Sequence, residues 1–422
     1  MRLWGGRLDL SASDLSNHLV CKHLSELDRA VARGELERPA WTDPARELLK
    51  RRGLEHEQAF VRHLHERGLR VVDLNGIEGD EAARRTLEAA RSGADVIVQA
   101  ALASGRWNGR ADVLERVPEK STLGDWAYDV LDTKLAQETR GGTVLQLCLY
   151  ADLLETVQGQ AAERMHVVKP GSGFPRETFR FADYQAYYRL VKDGLAGFVE
   201  SSTRAEPYPE PVPHCDVCRW WRRCDERRHR DDHLSLVAGM PRLHAEELRR
   251  QQVTTLTALA RADPLLREPP RRGQRDAFEK LQDQAAVQLE GRVTKSPVAR
   301  LLPHEAGKGL ARLPAPDAGD VFLDFEGDPF VPAPDGSDGG LEYLLGFAHC
   351  DDGRTWDYRA LWALDRAAEK RALETFVDFV SERLQRHPDL HVHHYAPYEP
   401  AALKRLASRH ASRELALDVL LR

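Results

Sequence analysis

Three sets of side chains have the types and spacing for chemistry. The first begins with Asp112 in the run Arg106-Trp-Asn-Gly-Arg-Ala-Asp-Val-Leu and continues in Tyr128-Asp-Val-Leu-Asp-Thr-Lys, which carries Asp132 and Lys134. Strand side chains alternate with period two, so Asp132 and Lys134 are expected on one face, with Thr133 pointing away. If the two segments form a hairpin, Asp112 lies beside that face. Two converging carboxylates repel and raise one pKa unless a hard divalent cation such as Mg²⁺ or Mn²⁺ neutralises them. A lysine beside such an ion can help deprotonate an attacking water or neutralise charge on a phosphate, which are the demands of phosphodiester hydrolysis.

Two neighbouring segments add to this set. Gln146 and Tyr150 stand at i and i+4, on one face of the apolar helix expected over Thr143–Val157. His56 and Glu57 lie on an expected helix from Pro44 to Gly68, and an imidazole there can complete a metal shell.

The second set is Cys215-x2-Cys218-x5-Cys224, three thiols within ten residues of a chain that has 6 cysteines. Cys21 is the natural fourth. A four-thiolate shell binds an iron-sulfur cluster or Zn²⁺, and spacing does not separate the two. Arg219, Trp220, Arg222 and Arg223 follow, in a local basic stretch with aromatic rings that suits single-stranded DNA or, equally, a solvated charged helix. The third set is Asp324 and Glu326, at i and i+2 on an apolar strand, with Glu399 further on in His393-His-Tyr-Ala-Pro-Tyr-Glu. Buried apolar neighbours would again make a metal the partner of these acids.

The elements that must position these residues follow from pattern. A helix is expected from Ser11 through Leu27, strands over Leu69–Leu74, Asp95–Leu102, Trp107–Val117, Ala127–Leu135, Met165–Val168 and Arg176–Phe181, and helices over Glu81–Ser92 and Ala182–Ser201. Proline-rich Glu206–Pro213 then delivers the chain to Cys215. Ser235–Leu310 reads as helical and Arg-rich, with one weak strand pattern near Val293. A strand-rich unit begins near Ala318, ending in a helix over Pro400–Ser408 and a strand-like Leu415–Leu420. This divides the chain into residues 1–234, 235–315 and 316–422, a mixed α/β protein.

Composition agrees. The 422 residues are 42% hydrophobic and 30% charged, with 61 Lys plus Arg against 67 Asp plus Glu, so a disordered chain is excluded and any nucleic-acid site must be locally basic. No run is apolar enough for a membrane span and Met1–Leu10 lacks a signal-peptide core, so a cytoplasmic protein with no membrane partner is expected.

The ordered set His56, Asp112, Asp132-x-Lys134 and Gln146-x-x-x-Tyr150 resembles the RecB-type nucleases of the PD-(D/E)xK superfamily, including AddB-type and CRISPR-associated relatives. The resemblance implies a restriction-endonuclease-like core with helical insertions. It implies that His56, Asp112 and Asp132 hold the metal, that Lys134 assists catalysis, and that Gln146 and Tyr150 position DNA. The second acid is often Glu in that family and is Asp132 here. One cysteine near the N-terminus with three after the core resembles the family's iron-sulfur staple, which implies a [4Fe-4S] cluster on Cys21, Cys215, Cys218 and Cys224, with zinc as the alternative. Asp324, Glu326 and Glu399 resemble the acids of DEDD-type exonucleases with an RNase H-like fold, with Glu399 where Asp is usual. That unit reads as truncated, because a last acid is expected further on. Relatives of this kind often continue into a helicase. The expectation is a metal-dependent DNA nuclease acting on single-stranded or end-containing DNA in repair or recombination. The alternative is a non-catalytic DNA-binding scaffold that recruits or guides a helicase.

Overall fold

The computed structural model describes residues 1–40, 43–136, 138–201, 205–329, 331, 339–351 and 353–421. The chain divides into two units, Met1–Arg300 and Leu301–Arg422.

The first unit opens with a hairpin absent from the sequence reading, β1 (Arg2–Trp4) and β2 (Arg7–Ser11). The expected single N-terminal helix is two, α1 (Ala12–Val20) and α2 (Lys22–Ala32), because Cys21 adopts an extended backbone (φ −156°, ψ 108°) and its sulfur accepts a hydrogen bond from Leu24 N–H at 3.4 Å. Then follow α3 (Pro44–Glu66), β3 (Val71–Asp73), α4 (Gly79–Arg91), β4 (Val96–Ser104), β5 (Trp107–Val117), β6 (Ala127–Thr133), α5 (Gly141–Leu153), α6 (Glu155–Gln158), β7 (Arg164–Val168), β8 (Arg176–Arg180) and α7 (Phe181–Glu200). The strands form one eight-stranded sheet in the order β1-β2-β5-β6-β7-β8, with β4 pairing both β5 and β3.

Alternation along the strands sends side chains to two cores. Ile97, Leu114, Val130, Met165 and Val167 pack with Leu15, Leu147, Leu149, Leu195 and Val199 of α1, α5 and α7. Val96, Val98, Val113, Leu131 and Val168 pack with Phe60 and Leu64 of α3. Helices therefore cover both faces. After α8 (Trp221–Arg230), the segment from Ser235 contributes α9 (Arg242–Arg250), α10 (Leu256–Ala260) and α11 (Arg275–Thr294), with a core around Leu248, Leu256, Leu259 and Phe278. Up to Arg300 it falls within the first compact unit, and the strand pattern near Val293 is helix.

The second unit is a four-stranded sheet in the order β11-β10-β9-β12, built from β9 (Val321–Asp328), β10 (Leu341–Cys350), β11 (Trp356–Trp362) and β12 (Val392–His393). Three helices, α12 (Arg366–Arg386), α13 (Tyr398–His410) and α14 (Glu414–Leu420), pack Phe376, Val380, Leu403, Leu406 and Leu417 against Val321, Leu323, Phe325, Leu345 and Phe347. The expected strand at Leu415–Leu420 is thus helix: Leu417 is its buried residue, with Ala416 and Leu420 beside it on the core side at helical spacing. No helix among the described residues is long and apolar enough to cross a membrane.

Candidate active site

The acids meet at an interruption in the sheet. β5 pairs antiparallel with β6 over Val113–Val117 and parallel with β2 at Trp107–Asn108, so Asp112 lies between these two ladders. On its other side β4 pairs Val98 with Val113 and Ala100 with Ala111, but Gln99 between them is left-handed (φ 55°), a strained conformation for a non-glycine residue. With the ladder open, the Thr133 N–H donates to Asp112 Oδ2 at 2.9 Å and the Thr133 hydroxyl to the same oxygen at 3.1 Å. Thr133 therefore does not simply point away, as strict alternation predicts. It sits at the strand end, where its side chain turns to Asp112.

Asp132 is fully buried. Lys134 Nζ lies 2.5 Å from its Oδ2, yet that oxygen has no aligned hydrogen bond and Gln146 Nε2 reaches only Oδ1, at 3.4 Å. Burial, then the negative field of Asp112, raises the Asp132 carboxyl well above the usual carboxylate range, against the opposing pull of Lys134. Burial works against the Lys134 charge, but the fields of Asp132, Asp112 and Glu57 outweigh it and hold the ammonium above its ordinary value. An under-bonded buried carboxylate beside a second carboxylate is a fit for a divalent cation.

Gln146 Nε2 also donates to Tyr150 Oη at 3.0 Å. Tyr150 is buried, and burial followed by the Asp132 charge drives its hydroxyl far above the usual phenol value. Its ring is admitted by Gly109: a Cβ there would come within 2.5 Å of Tyr150 Cε1. The pair thus reaches the site from α5 by way of Asp132.

His56 comes to the end of β6 from α3. Its Nε2 lies 3.3 Å from the Val168 carbonyl, which also accepts from Lys134 N–H at 3.0 Å, and its ring stacks on Phe174 at 5.8 Å. Glu57, beside it, is a further acid. Burial and then the Asp112 charge raise its carboxyl, while Gln99 Nε2 donates to it at 2.5 Å. Sequence reasoning noted Glu57 without giving it a role and missed Gln99, for which no local pattern exists.

The cysteines converge from the two ends of the expected domain. Cys21, Cys218 and Cys224 pack around Leu24, Leu27 and Trp220, and all four thiols line one small cavity with these residues. Burial raises the thiols of Cys21, Cys218 and Cys224, the last to about 12, and each also feels other cysteines of the group. Cys21 and Cys215 accept backbone N–H bonds from Leu24 and Val212, each at 3.4 Å. Trp220 departs from expectation. It is 2% exposed inside this cluster, so its ring cannot stack on a nucleic-acid base. Trp221 is the exposed ring, with the Arg222 guanidinium 5.5 Å from it. Arg222 and Arg223 face solvent and Arg219 is half-buried, whereas Arg227 and Arg228 are engaged by Glu206 and Asp225.

In the second unit Asp324 and Glu326 share one strand face, as expected, but that face is open to solvent rather than apolar and buried. Glu399 sits in the first turn of α13, buried, with its Oε2 3.4 Å from His394 Nδ1. Among the described residues no ion pair or hydrogen bond joins the three. Glu342, which sequence reasoning passed over, is buried near Gly327 and accepts from Tyr398 Oη at 3.0 Å and from Arg405.

Comparison with known proteins gives two family matches. A model of the PD-(D/E)XK nuclease superfamily matches residues 15–225, half of the chain, and a model of the RNase_H superfamily matches residues 321–420. No match was found among the curated proteins. Among solved structures, the crystal structure of SSO0001 is 13% identical, with a TM-score of 0.28, over 52% of this chain and 86% of that one. The first match ends one residue beyond Cys224 and spans the acids, Lys134 and the Gln146–Tyr150 helix, and the second coincides with the four-stranded unit. The chain belongs to the PD-(D/E)XK nuclease superfamily and carries a C-terminal RNase H-like domain.

Proposed function

We propose that the first unit is a deoxyribonuclease that hydrolyses phosphodiester bonds in single-stranded or end-containing DNA, in cytoplasmic repair or recombination. One observation carries this reading: Asp132 is fully buried and raised in pKa by burial and the Asp112 charge even with the Lys134 ammonium 2.5 Å from its Oδ2. A carboxylate in that state costs stability unless a cation takes it up. Asp112, Asp132 and His56 would hold Mg²⁺ or Mn²⁺; among the described residues no three of the His56, Glu57, Asp112 and Asp132 donors lie within 4.8 Å of one another, so these side chains must close on the ion when it binds. When bound, the ion supplies Lewis acidity to the phosphate and lowers the cost of a nucleophilic water.

The chain's own groups do the rest. Lys134, 2.5 Å from Asp132, keeps its proton in the field of three acids and can present it to the phosphate or orient the attacking water. Gln146 holds Asp132 Oδ1 and Tyr150 Oη together, so the helix orients the acid and aligns the strand through it. Exposed Arg222 and Arg223, with Arg219 and Trp221, offer a basic, aromatic surface for the DNA backbone.

Cys21, Cys215, Cys218 and Cys224 suit a [4Fe-4S] cluster that ties the start of α2 to α8 and the chain just before it. Its support is spacing. Four thiolates on one zinc ion lie about 3.8 Å apart, given bonds near 2.3 Å. Among the described residues the cysteines do not form a group whose donor atoms all fall within 4.8 Å. The same holds of the His56, Glu57, Asp112 and Asp132 donors, so this separation favours neither metal.

The test is cleavage of end-labelled single- and double-stranded DNA and RNA with Mg²⁺ or Mn²⁺. Asp132→Asn should lower DNA cleavage by at least about 10²-fold while DNA binding persists. Undiminished cleavage by that variant removes the proposed site, and preferential cleavage of RNA removes the substrate assignment.

A further inference from the structure

The second unit places three ligating side chains together away from any acid considered so far. Asp320, His391 and His393 each offer one donor atom, and the three atoms lie within 4.8 Å of one another. They meet because β12 runs parallel to β9, with Val392 opposite Val321 and His393 opposite Phe322. Both histidines therefore fall on the strand face that Asp320 shares.

The cluster is pre-oriented. Asp320 Oδ1 accepts from His391 N–H at 2.8 Å and Oδ2 from Asp317 N–H at 3.1 Å, which fixes the carboxylate. The His393 ring lies flat against Phe322, with centroids 4.9 Å apart at 20°. His391 Nδ1 is buried and has no hydrogen-bond partner. The two imidazole nitrogens that face Asp320 are each 3.4 Å from one of its oxygens. That separation is longer than an ordinary N–H···O hydrogen bond of about 2.7–3.2 Å. Each separation is near the donor-to-donor edge of about 3.4 Å around a tetrahedral ion with bonds near 2.1 Å, His391 Nδ1 against Oδ1 and His393 Nε2 against Oδ2, so the carboxylate spans the two imidazoles through both oxygens. Backbone bonds orienting the carboxylate and a ring packed behind one imidazole are the supports that metal ligands characteristically have.

We propose that Asp320, His391 and His393 bind a divalent transition-metal ion, with Zn²⁺ the best match to two imidazoles and a carboxylate. Three protein donors leave the remaining position to water, and both histidines are partly open to solvent, so the ion can enter. Asp320 precedes Asp324 by four residues, about 13 Å along a strand, so this ion is separate from any held by Asp324 and Glu326. Its effect is to clip the two-residue strand β12 onto β9.

The experiment uses the full chain and Zn²⁺ alone as probe. After loading and dialysis, wild type should retain one more equivalent of zinc than the His391→Gln/His393→Gln variant, whose circular dichroism serves as the folding control. In wild type, Zn²⁺ should suppress diethyl pyrocarbonate modification of His391 and His393 at least about 10-fold by peptide mass spectrometry, while Mg²⁺ at the same concentration should not. The second readout is site-specific and needs no variant. Equal zinc content in a folded variant, or modification of both histidines unaffected by zinc, overturns the proposal.

Discussion

Replacing Asp132 by Asn should make the metal-free chain more stable while removing its response to Mg²⁺. In the folded protein the Asp132 carboxyl is raised above its ordinary 3.8 by burial and by Asp112. The folded state therefore binds the proton more tightly than the unfolded state. This group's contribution to stability is greatest below pH 3.8 and is lost as pH rises through the folded value. Each unit of displacement costs about 1.4 kcal/mol above that value. That displacement already includes the opposing pull of Lys134, and Asn leaves Lys134 with Asp112 and Glu57 as neighbours, so the net gain at pH 8 should be about 1–3 kcal/mol, the range for a buried polar group left short of partners. The gain should vanish near pH 4. Mg²⁺ at about 100 times its dissociation constant should stabilise wild type by about 2.7 kcal/mol and the variant by little. Calorimetric unfolding of both chains across this pH range, with and without Mg²⁺, reads all three effects. A variant less stable than wild type at pH 8 in chelator, or equally stabilised by Mg²⁺, refutes the reasoning.

Other expectations follow from single contacts. Lys134→Ala should reduce cleavage about 10²–10³-fold with Mg²⁺ stabilisation retained, as the proposed role on substrate rather than metal requires; loss of both in one melting and cleavage series would assign it to metal binding. Gly109→Ala should destabilise by about 1–3 kcal/mol, because the added Cβ meets Tyr150 at 2.5 Å, and an unchanged melting temperature would mean that the Tyr150 ring is free to move. Cys218→Ser should abolish both bound iron and the broad absorbance near about 400 nm of anaerobically purified protein; a colourless wild type holding one zinc would replace the cluster with an ion.

The strand-and-helix plan of the first unit was largely legible, because buried strands and amphipathic helices write their periods into apolar residues. β5 matches its expected range, and α3, α7 and β8 differ from theirs by a residue or two. Where a single residue overrode the pattern, the reading failed. Cys21 breaks what periodicity presents as one helix, and Leu415–Leu420 alternates like a strand yet buries Leu417 as a helix against α12 and α13. Trp220 was misplaced for a related reason: a ring beside arginines looks like a surface, and only packing on Leu24 and Leu27, about two hundred residues earlier in the chain, shows it to be core.

The sequence alone determined the kinds of group available and which could share a face: Asp132 with Lys134, Gln146 with Tyr150, Asp324 with Glu326. These follow from fixed repeats of 2 and about 3.6 residues, which are local properties of the chain. Tertiary structure decided what those groups experience. The ladder gap that frees Asp112, the burial that raises Asp132, the approach of Glu57 through Gln99 and the meeting of Asp320 with His391 and His393 all depend on segments far apart in sequence. Charge and desolvation act through space, so no local pattern encodes them.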